Sequence, residues 1–292
     1  MTLEQVRIFL CVAALSHVTQ AARRLNLTQS AVSAAISALE RQYDVRLFDR
    51  VGRGILLTEN GKLLVPAALR IQREADSARA LLSNISDEPR GRLRLWASQT
   101  IASYWIVPYM IRMHQTWPQV DMFLHAGNTA EVTNAVTEGA ADIGLIEGDI
   151  MSSGLTTQVV ARDELLLVLS RDHPIARQPS FSALDYCSMQ WLLREPGSGT
   201  RTVTEQHLAD MGLSVSELSV FLQLPTNEAI LAGIRSGEFA SLLSWRSVIS
   251  LRARDLALRR ITWAPKPRRF FFALTDPRRA RTSAVDKFLT AI

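Results

Sequence analysis

Apolar side chains recur at helical spacing through the first 42 residues of the chain. The spacing predicts a helix over residues 3–15, a short helix over 18–25 and a third helix over 29–42. The turn before the third helix is short, and Thr28 stands where an N-terminal capping residue is expected. Three helices joined in this way are typical of a helix-turn-helix. The apolar stripe of the third helix consists of Ala31, Val32, Ala35, Ile36 and Leu39.

A small hairpin is predicted directly after the third helix. Residues 47–50 and 55–57 have the composition of two short strands. The tip between them, Gly52-Arg53-Gly54, is basic and flanked by glycine, which favours a turn. A basic hairpin at this position indicates the wing of a winged helix-turn-helix.

A long helix is predicted from residues 58–61 to about residue 84. A helix of about 25 residues spans about 40 Å, which is longer than a small winged domain can cover. We therefore predict that a second copy of the helix covers its apolar stripe and that the protein forms a dimer. The stripe consists of Leu63, Leu64, Ala67, Ile71, Ala75, Ala78, Leu82 and Ile85.

The pattern changes beyond a polar hinge at residues 87–91. Strand and helix segments then alternate, which predicts one α/β unit or two such lobes. The first predicted segments are a strand at 92–97, a helix at 101–116, a strand at 120–125, a helix at 129–138 and a buried strand at 142–146. Further strands are predicted at 165–169, 191–193, 220–224, 239–243 and 270–274.

Composition narrows the class of protein. The chain has 292 residues, of which 47% are hydrophobic and 21% are charged, and this is typical of a folded protein of two or three domains. Its apolar runs are too short to span a membrane. The first residues also lack the basic and apolar regions of a signal peptide, so we expect a cytoplasmic protein.

The distribution of charge does not locate a nucleic-acid site by itself. The formal net charge is +5 at pH 7, which permits DNA binding without requiring it. Eleven basic residues and only two acidic residues lie between Arg246 and Arg281, far from the helix-turn-helix. We expect this arginine-rich stretch to be a solvated surface or a contact to an acidic surface of another domain, rather than a second DNA site.

Cysteine and histidine spacing predicts neither a disulfide framework nor a metal site. Cys11 and Cys187 are far apart and are expected to be reduced thiols in the core. The five histidines are scattered singly, so no helix face carries two of them at ligand spacing.

Several motifs resemble those of LysR-type transcriptional regulators. In the first 65 residues they are TQAARRL (19–25), TQSAVS (28–33) and LFDR (47–50). In the remainder they are ASQT (97–100), GNT (127–129), DIGLIEG (142–148) and REPGSGTR (194–201). The resemblance covers essentially the whole chain, and the later motifs are most similar to the branch that regulates sulfur assimilation and carbon fixation.

The resemblance implies an α/β fold class with an N-terminal winged helix-turn-helix, a long linker helix and a two-lobed effector-binding domain related to periplasmic binding proteins. We expect the DNA-binding domain at 1–58 and the linker or dimerisation helix with its hinge at 59–90. The effector-binding domain is expected at 91–292, with lobe I at 91–162 and 266–292 and lobe II at 163–265. The implied partners are double-stranded DNA, a small-molecule effector and a second copy of the chain, assembled as a dimer of dimers.

Two positions depart from the family pattern. Ala34 and Ala35 stand where many relatives carry a long polar residue, so base contacts there must come from neighbouring side chains. Residues 236–239 read Ser-Gly-Glu-Phe, where relatives usually show a Gly-x-Gly-Ile run.

The third helix is expected to lie in the major groove of DNA. Its short polar side chains allow a close approach, and Gln29 can form two hydrogen bonds with adenine. Arg50 and Arg53 in the wing suit phosphate or minor-groove contacts. Three helices with one polar face can also be only a surface bundle, but the wing and the family motifs favour DNA. The expected DNA-binding residues are Thr28, Gln29, Ser30, Ser33, Ser37, Arg50 and Arg53.

A small anionic effector is expected where strands are followed by helices. Polar residues at 98–100, 128–129 and 197–200 accompany the free N–H groups of helix N termini, which attract anions. Ligands of open α/β folds also lie at this edge of the sheet. Each segment alone is more often ordinary helix capping. The expected effector-binding residues are Ser98, Gln99, Thr100, Asn128, Thr129, Glu147, Arg194, Gly199, Thr200, Arg201 and Asn227.

The charged candidates leave alternatives open. Arg194 or Arg201 could hold an oxyanion, although an arginine in a loop more often faces solvent. Glu147 could line the same cleft if the ligand donates a proton to it, and Asn227 could close the cleft or only cap a helix. The branch resemblance favours sulfite or sulfate, with a phosphorylated sugar or a carboxylate metabolite second, and no other cofactor or metal is expected.

Other classes of protein fit the sequence less well. A hydrolase or transferase that uses the turn at 197–199 lacks a Gly-x-Ser-x-Gly motif, because Pro196 occupies the first glycine position. A periplasmic-type solute receptor conflicts with the winged domain, and a redox sensor conflicts with the expected burial of Cys11 and Cys187. We therefore predict a DNA-binding regulator with no catalytic residues.

Overall fold

The computed structural model describes residues 1–51, 54–83, 88–148, 154–250 and 255–292. The chain divides into two compact units, residues 1–85 and 86–292, and each has its own hydrophobic core. The predicted wing residue Arg53 and the hinge residue Asp87 lie outside the described residues.

The three predicted N-terminal helices are present. They are α1 (Leu3–Leu15), α2 (Val18–Leu25) and α3 (Gln29–Tyr43). Capping side chains determine where α1 and α3 begin, because the hydroxyl of Thr2 accepts a hydrogen bond from the Gln5 N–H at 3.1 Å and that of Thr28 accepts one from the Ala31 N–H at 3.2 Å. Asn26 ends α2 in the left-handed conformation, which turns the chain toward α3.

One core holds the three helices together. Phe9 and Val12 of α1 pack with Val32, Ile36 and Leu39 of α3, and all five side chains are buried. Burying a side chain of this size contributes about 1.5–3 kcal/mol relative to leaving it exposed. Of the predicted apolar stripe of α3, Val32, Ile36 and Leu39 therefore face inward, whereas Ala31 is exposed with Ser30 and Ser37 on the outer face.

The predicted wing is an antiparallel hairpin of β1 (Phe48–Val51) and β2 (Gly54–Leu57). Glu40 of α3 anchors it, because its carboxylate accepts hydrogen bonds from the N–H groups of Leu47 at 2.8 Å and Phe48 at 3.2 Å. The wing is thereby held against the end of α3.

The long helix α4 (Glu59–Ser83) begins directly after the wing, as predicted. Gly61 allows its first turn to approach the chain closely, because a Cβ there would lie 2.2 Å from the Leu47 carbonyl oxygen. Leu64 and Ile71 of the predicted stripe pack on the core of residues 1–85, whereas the side chain of Leu63 is 74% exposed. The stripe is therefore covered only in part within its own unit.

Residues 86–292 form one mixed sheet in the described part of the chain. Its strands are β3 (Gly91–Ser98), β4 (Val120–Gly127), β5 (Ile143–Glu147), β6 (Thr156–Ser170), β7 (Gln190–Arg194), β8 (Ser219–Leu224), β9 (Phe239–Ser244), β10 (Leu256–Arg259) and β11 (Arg268–Thr275). Their order is β4-β3-β5-β11-β6-β9-β7-β8, and β10 pairs with the end of β6.

The long strand β6 joins two similar halves of this sheet. It pairs with β11 up to Glu164 and with β9 from Leu165 onward. In the first half β3 runs parallel to β4 and β5, and in the second half β7 runs parallel to β8 and β9. The direction of winding reverses at β3 and at β7, and such points are where open α/β sheets bind ligands.

Eight helices in the described part of residues 86–292 cover the sheet. They are α5 (Gln99–Tyr104), α6 (Val107–Thr116), α7 (Thr129–Thr137), α8 (Ala183–Ser188), α9 (Gly199–Asp210), α10 (Asn227–Ser236), α11 (Trp245–Ser250) and α12 (Ser283–Ala291). In the first half Leu95 of β3 packs with Phe271 of β11 and Phe288 of α12. In the second half the rings of Tyr186 and Trp191 lie 4.6 Å apart.

Two features of this unit differ from the sequence prediction. The single helix predicted at 101–116 is wrong, because α5 ends at Tyr104 and α6 begins at Val107. Pro108 has no N–H to continue the earlier helix but fits the first turn of a new one. The sequence also missed β10 and the first part of β6, whose residues up to Val159 are exposed and lack an apolar period.

Candidate functional site

The outer face of α3 carries polar side chains, most of which are short. Gln29, Ser30 and Ser37 are exposed, and Ser33 is half-buried. Ala34 is exposed between Ser30 and Ser37, so the centre of this face carries only a short side chain. Such a surface allows the helix backbone to approach the bases of a groove closely.

The remaining predicted DNA contacts lie at the ends of this face. Thr28 is exposed and caps α3, and its hydroxyl lies 3.0 Å from that of Ser30. Arg50 is exposed on β1 and makes no ion pair among the described residues. Its guanidinium is therefore available to a phosphate. Arg53 lies outside the described residues.

The predicted effector residues lie where strands end and helices begin. Ser98 ends β3, Glu147 ends β5 and Arg194 ends β7. Helices α7 and α10 begin at Thr129 and Asn227. Because β7 runs antiparallel to β3 and β5, the carboxyl ends of the strands in the two halves face each other, and these side chains come together where the halves meet.

Four of the predicted residues form a cluster that joins the two halves of the sheet, and we call it the Asn227 cluster. The Oδ1 atom of Asn227 accepts a hydrogen bond from Arg194 Nη1 at 2.8 Å, and its Nδ2 atom donates to Thr100 Oγ1 at 3.1 Å. Gln99 Oε1 accepts from Arg194 Nη1 at 3.0 Å and from the Asn227 N–H at 2.9 Å. Thr100 and Asn227 are fully buried.

Two further residues extend this contact toward the surface. The carboxylate of Glu228 accepts hydrogen bonds from Gln99 Nε2 and from the Tyr104 hydroxyl. Burial and the bond to Glu228 together raise the pKa of Tyr104, so its hydroxyl stays protonated and continues to donate. Tyr104 has no sequence signal that identifies it, since the contact depends on a residue 124 positions away.

A second buried cluster contains Glu147 and Thr200, and we call it the Arg269 cluster. Arg269 lies 3.3 Å from Glu147 and 2.7 Å from Asp163, and its Nη1 atom donates to Thr200 Oγ1 at 3.1 Å. The three charged side chains are at most 2% exposed. Burial raises the pKa of Glu147, although the positive charge of Arg269 opposes the shift.

Glycine at position 199 allows the start of α9 to approach the end of β5 and the start of α7 closely. A Cβ at Gly199 would lie 2.4 Å from the Glu147 carbonyl oxygen and 2.8 Å from Thr129 Oγ1. The Thr129 hydroxyl donates to the same carbonyl at 3.3 Å. Ser98 lies at the end of β3, is 2% exposed, and its hydroxyl has no hydrogen-bond partner among the described residues.

Asn128, Arg201 and Arg194 also make side-chain contacts to residues that are close in sequence. Asn128 caps α7, because its side chain accepts from the Glu131 N–H at 2.9 Å. Arg201 donates to Glu205 at 2.6 Å within α9, and Arg194 pairs with Glu195 at 2.8 and 2.9 Å. The charges of both arginines are thus paired with neighbouring carboxylates, and the roles of these residues toward a ligand stay predictions.

The expectation that the arginine-rich stretch is a solvated or interdomain surface is wrong for Arg269. Its side chain is 1% exposed because β11 alternates, with Arg268 and Phe270 outward and Arg269 and Phe271 inward. The alternation of outward and inward side chains along a strand is the sequence signal that could have predicted the burial of Arg269. Arg246, at the other end of the stretch, lies 3.9 Å from Asp163, so it also faces the buried acids.

The described residues contain no candidate metal cluster and no disulfide. They contain no group of three His, Cys, Asp or Glu side chains placed to hold a metal ion. Cys11 and Cys187 are free and half-buried, less enclosed than the core positions expected for them. No helix among the described residues is both long and apolar enough to cross a membrane.

Comparison with known proteins gives matches over both units. Residues 3–62 match the family described as bacterial regulatory helix-turn-helix protein, lysR family, and residues 86–292 match the LysR substrate binding domain. The uncharacterized HTH-type transcriptional regulator YeiE of Escherichia coli strain K12 is 35% identical over 247 residues, which are 85% of this chain and 82% of that protein. A probable RuBisCO transcriptional regulator of Cyanophora paradoxa is 30% identical over 295 residues, covering 98% of this chain and 90% of that protein.

The fold of the whole chain also has a counterpart among solved structures. Full-length CbnR in complex with its target DNA covers 100% of this chain and 99% of its own, with a TM-score of 0.74 and 19% sequence identity. The likeness confirms the predicted fold class, an α/β chain with an N-terminal winged helix-turn-helix, a long linker helix and a two-lobed effector-binding domain.

Proposed function

Because this chain belongs to the LysR family of bacterial transcriptional regulators, we propose that it reads DNA with α3 and the wing and that a small anion bound between the halves of the sheet modulates this binding. The protein is a DNA-binding transcriptional regulator with an effector-binding domain and is not an enzyme. The proposed function places it in the cytoplasm, where bacterial DNA lies.

The DNA proposal rests on the surface of α3. The exposed side chains of Gln29, Ser30 and Ser37 reach base edges, and Arg50 binds a phosphate beside the groove. CbnR, which has the same fold, forms a complex with its target DNA. Because Ala34 contributes no polar group, sequence preference comes from the residues around it.

The buried hydroxyl of Ser98 carries the effector proposal. A buried polar group without a partner costs about 1–3 kcal/mol, so a ligand that accepts its hydrogen bond recovers this energy. Thr100 lies two residues away at the start of α5 and belongs to the Asn227 cluster. An anion at Ser98 would therefore compete for the hydroxyl of Thr100 and the amide of Asn227.

The donor set favours a small oxyanion. Hydroxyl, amide and N–H groups can surround a tetrahedral anion such as sulfite or sulfate, whereas Arg194 and Arg201 are already paired with carboxylates. A phosphorylated sugar or a carboxylate metabolite is the second choice. The relative described as a probable RuBisCO transcriptional regulator supports the carbon-fixation side of the resemblance, and the choice of sulfite or sulfate rests on the motifs alone.

Regulation follows from the position of the Asn227 cluster between the halves of the sheet. A ligand that replaces the bond between Thr100 and Asn227 changes the relative stability of open and closed arrangements. It shifts the protein only as far as it prefers one arrangement, so a ligand without such a preference would have no effect.

The proposed assembly is a dimer through α4, extended to a dimer of dimers. The exposed side chains of Leu63 and Leu69 on α4 supply apolar surface that a second copy can cover. A dimer presents two copies of α3, which matches a DNA site with two half-sites.

Thermal unfolding of the full-length protein with sulfite or sulfate tests the effector proposal. All six tryptophans lie in residues 86–292, so their fluorescence reports unfolding of this unit alone. Binding to the folded state raises its melting temperature. We expect the rise to disappear in Ser98→Ala and Thr100→Ala and to persist in Thr116→Ala, which removes an exposed hydroxyl at the end of α6.

Equal rises in the wild type and in both cleft variants would refute the site. If phosphorylated or carboxylate acids raise the melting temperature but sulfite and sulfate do not, the proposed site would stand and the proposed class of ligand would be wrong.

A further inference from the structure

A separate cavity of about 310 Å³ lies in residues 86–292, between α9 and the segment that leads into β11. Gln206 and Asp210 of α9 form one wall, and Lys266, Phe270 and Phe272 contribute to the other. Gly148 and Arg269 also line the cavity, so it borders the Arg269 cluster, but it contains no residue of the Asn227 cluster. A volume of this size is at the lower end of the range found for small-molecule sites.

The charged side of the cavity is basic. Lys266 is exposed, and its ammonium group makes no ion pair or side-chain hydrogen bond among the described residues. Arg268 is 67% exposed and only 3.5 Å from Glu164. Asp210 is the acid on this wall, and its carboxylate already accepts a hydrogen bond from Gln206 at 2.8 Å. Of the exposed charged side chains that line the cavity, Lys266 is therefore the one without an ion pair or side-chain hydrogen bond to another described residue.

The other side of the cavity is apolar and aromatic. The rings of Phe270 and Phe272 lie 6.2 Å apart in an edge-to-face arrangement, and Val203 faces them from α9. Phe270 is 43% exposed, although it is among the largest apolar side chains of the unit. An aromatic surface beside the ammonium group of Lys266, which has no ion pair in the described part of the chain, fits a molecule that has one apolar part and one negative charge.

We propose that this cavity is a second ligand site, which takes a small organic acid with an apolar body. The carboxylate of the ligand pairs with Lys266 and Arg268, and its apolar body covers Phe270 and Phe272. Ser98, Thr100 and Asn227, on which the oxyanion proposal rests, are not among the residues that line this cavity, so the two proposals can be tested separately.

Calorimetric titration of the full-length protein with phenylacetate tests this proposal. Acetate lacks the ring and 2-phenylethanol lacks the charge, so both should bind at least about tenfold more weakly than phenylacetate. Lys266→Met should weaken phenylacetate binding by about tenfold or more. Lys287→Met is the matched control, because Lys287 is exposed on α12 and is not part of the cavity, and it should leave binding unchanged.

The variant Thr100→Ala separates the two sites. It removes a hydroxyl of the oxyanion cleft and should leave phenylacetate binding intact, even if the cleft proposal fails. Loss of phenylacetate binding in Thr100→Ala, equal binding in Lys266→Met and the wild type, or no binding at millimolar phenylacetate would each overturn the second site.

Discussion

Asn227 and Thr100, which are 127 positions apart in the sequence, share a buried hydrogen bond of 3.1 Å between Nδ2 and Oγ1. Thr100 belongs to the first half of the sheet and Asn227 to the second. The bond therefore links the carboxyl end of β3 to the start of α10. It is one of several hydrogen bonds that join the two halves.

Replacing Asn227 with alanine should destabilise residues 86–292 by about 1–3 kcal/mol, because it removes the acceptor of Arg194 and the donor to Thr100. Urea unfolding followed by tryptophan fluorescence measures this difference. Asn134→Ala, at an exposed position on α7, is the control and should change the free energy by less than about 0.5 kcal/mol. Equal effects of the two substitutions would contradict a structural role for the Asn227 cluster.

The Arg269 cluster predicts a pH dependence of stability. Burial raises the pKa of Glu147 in the folded state, so the folded protein holds this proton at pH values where the unfolded chain has released it. The contribution of Glu147 to stability is therefore greatest below its ordinary pKa and falls as pH rises through the raised pKa. Glu147→Gln cannot titrate, so its stability relative to the wild type should increase with pH across this interval.

Urea unfolding of both proteins at a series of pH values, followed by tryptophan fluorescence, checks this expectation. Asp121→Asn is a control for removal of an acid, because Asp121 is exposed at the start of β4. Parallel pH profiles of Glu147→Gln and the wild type would show that Glu147 does not retain its proton on folding.

The wing should contribute to DNA affinity without reading sequence. Arg50→Ala should lower the affinity for a random-sequence duplex and reduce the slope of log K against log salt concentration by about 1, because one phosphate contact is lost. Fluorescence anisotropy at several salt concentrations measures the slope. Arg177→Ala, which removes an 82% exposed arginine from the other unit, should leave it unchanged. An unchanged slope in Arg50→Ala would remove Arg50 from the DNA contacts.

The exposed part of α4 should hold two chains together. Leu63→Glu places a charge on a side chain that is 74% exposed in the single chain, and a second copy would have to bury it. Sedimentation equilibrium should then show a lower molecular mass than for the wild type. Lys62→Glu changes the charge at the neighbouring exposed position and should keep the wild-type mass. A mass unaffected by Leu63→Glu would move the dimer contact away from this position.

Local sequence patterns were sufficient to predict the elements of residues 1–85. The bounds of α1, α2 and α3 follow from apolar stripes and from caps such as Thr28, which act over three or four residues. Their packing also involves neighbours that are close in sequence. For this reason the helix-turn-helix, the wing and the start of α4 were all predicted.

The candidate site could be predicted only in part, because it depends on contacts between residues that are far apart in the sequence. Ser98, Thr100 and Asn227 were found because each stands at the end of a strand or the start of a helix. Arg269 and Tyr104 were missed, because their partners Asp163 and Glu228 lie 106 and 124 positions away. The alternation of side chains along β11 indicated that Arg269 points inward. Only the assembled sheet shows which acidic side chains it contacts.

The place of β11 in the sheet has a consequence for the synthesis of the protein. It lies between β5 and β6, yet it leaves the ribosome about a hundred residues after them. The core of residues 1–85 is complete by Ile71, so the DNA-reading unit can fold while β5 and β6 still expose unpaired edges. The newly made chain is therefore most prone to aggregation in the interval between these two events, when chaperones are needed most.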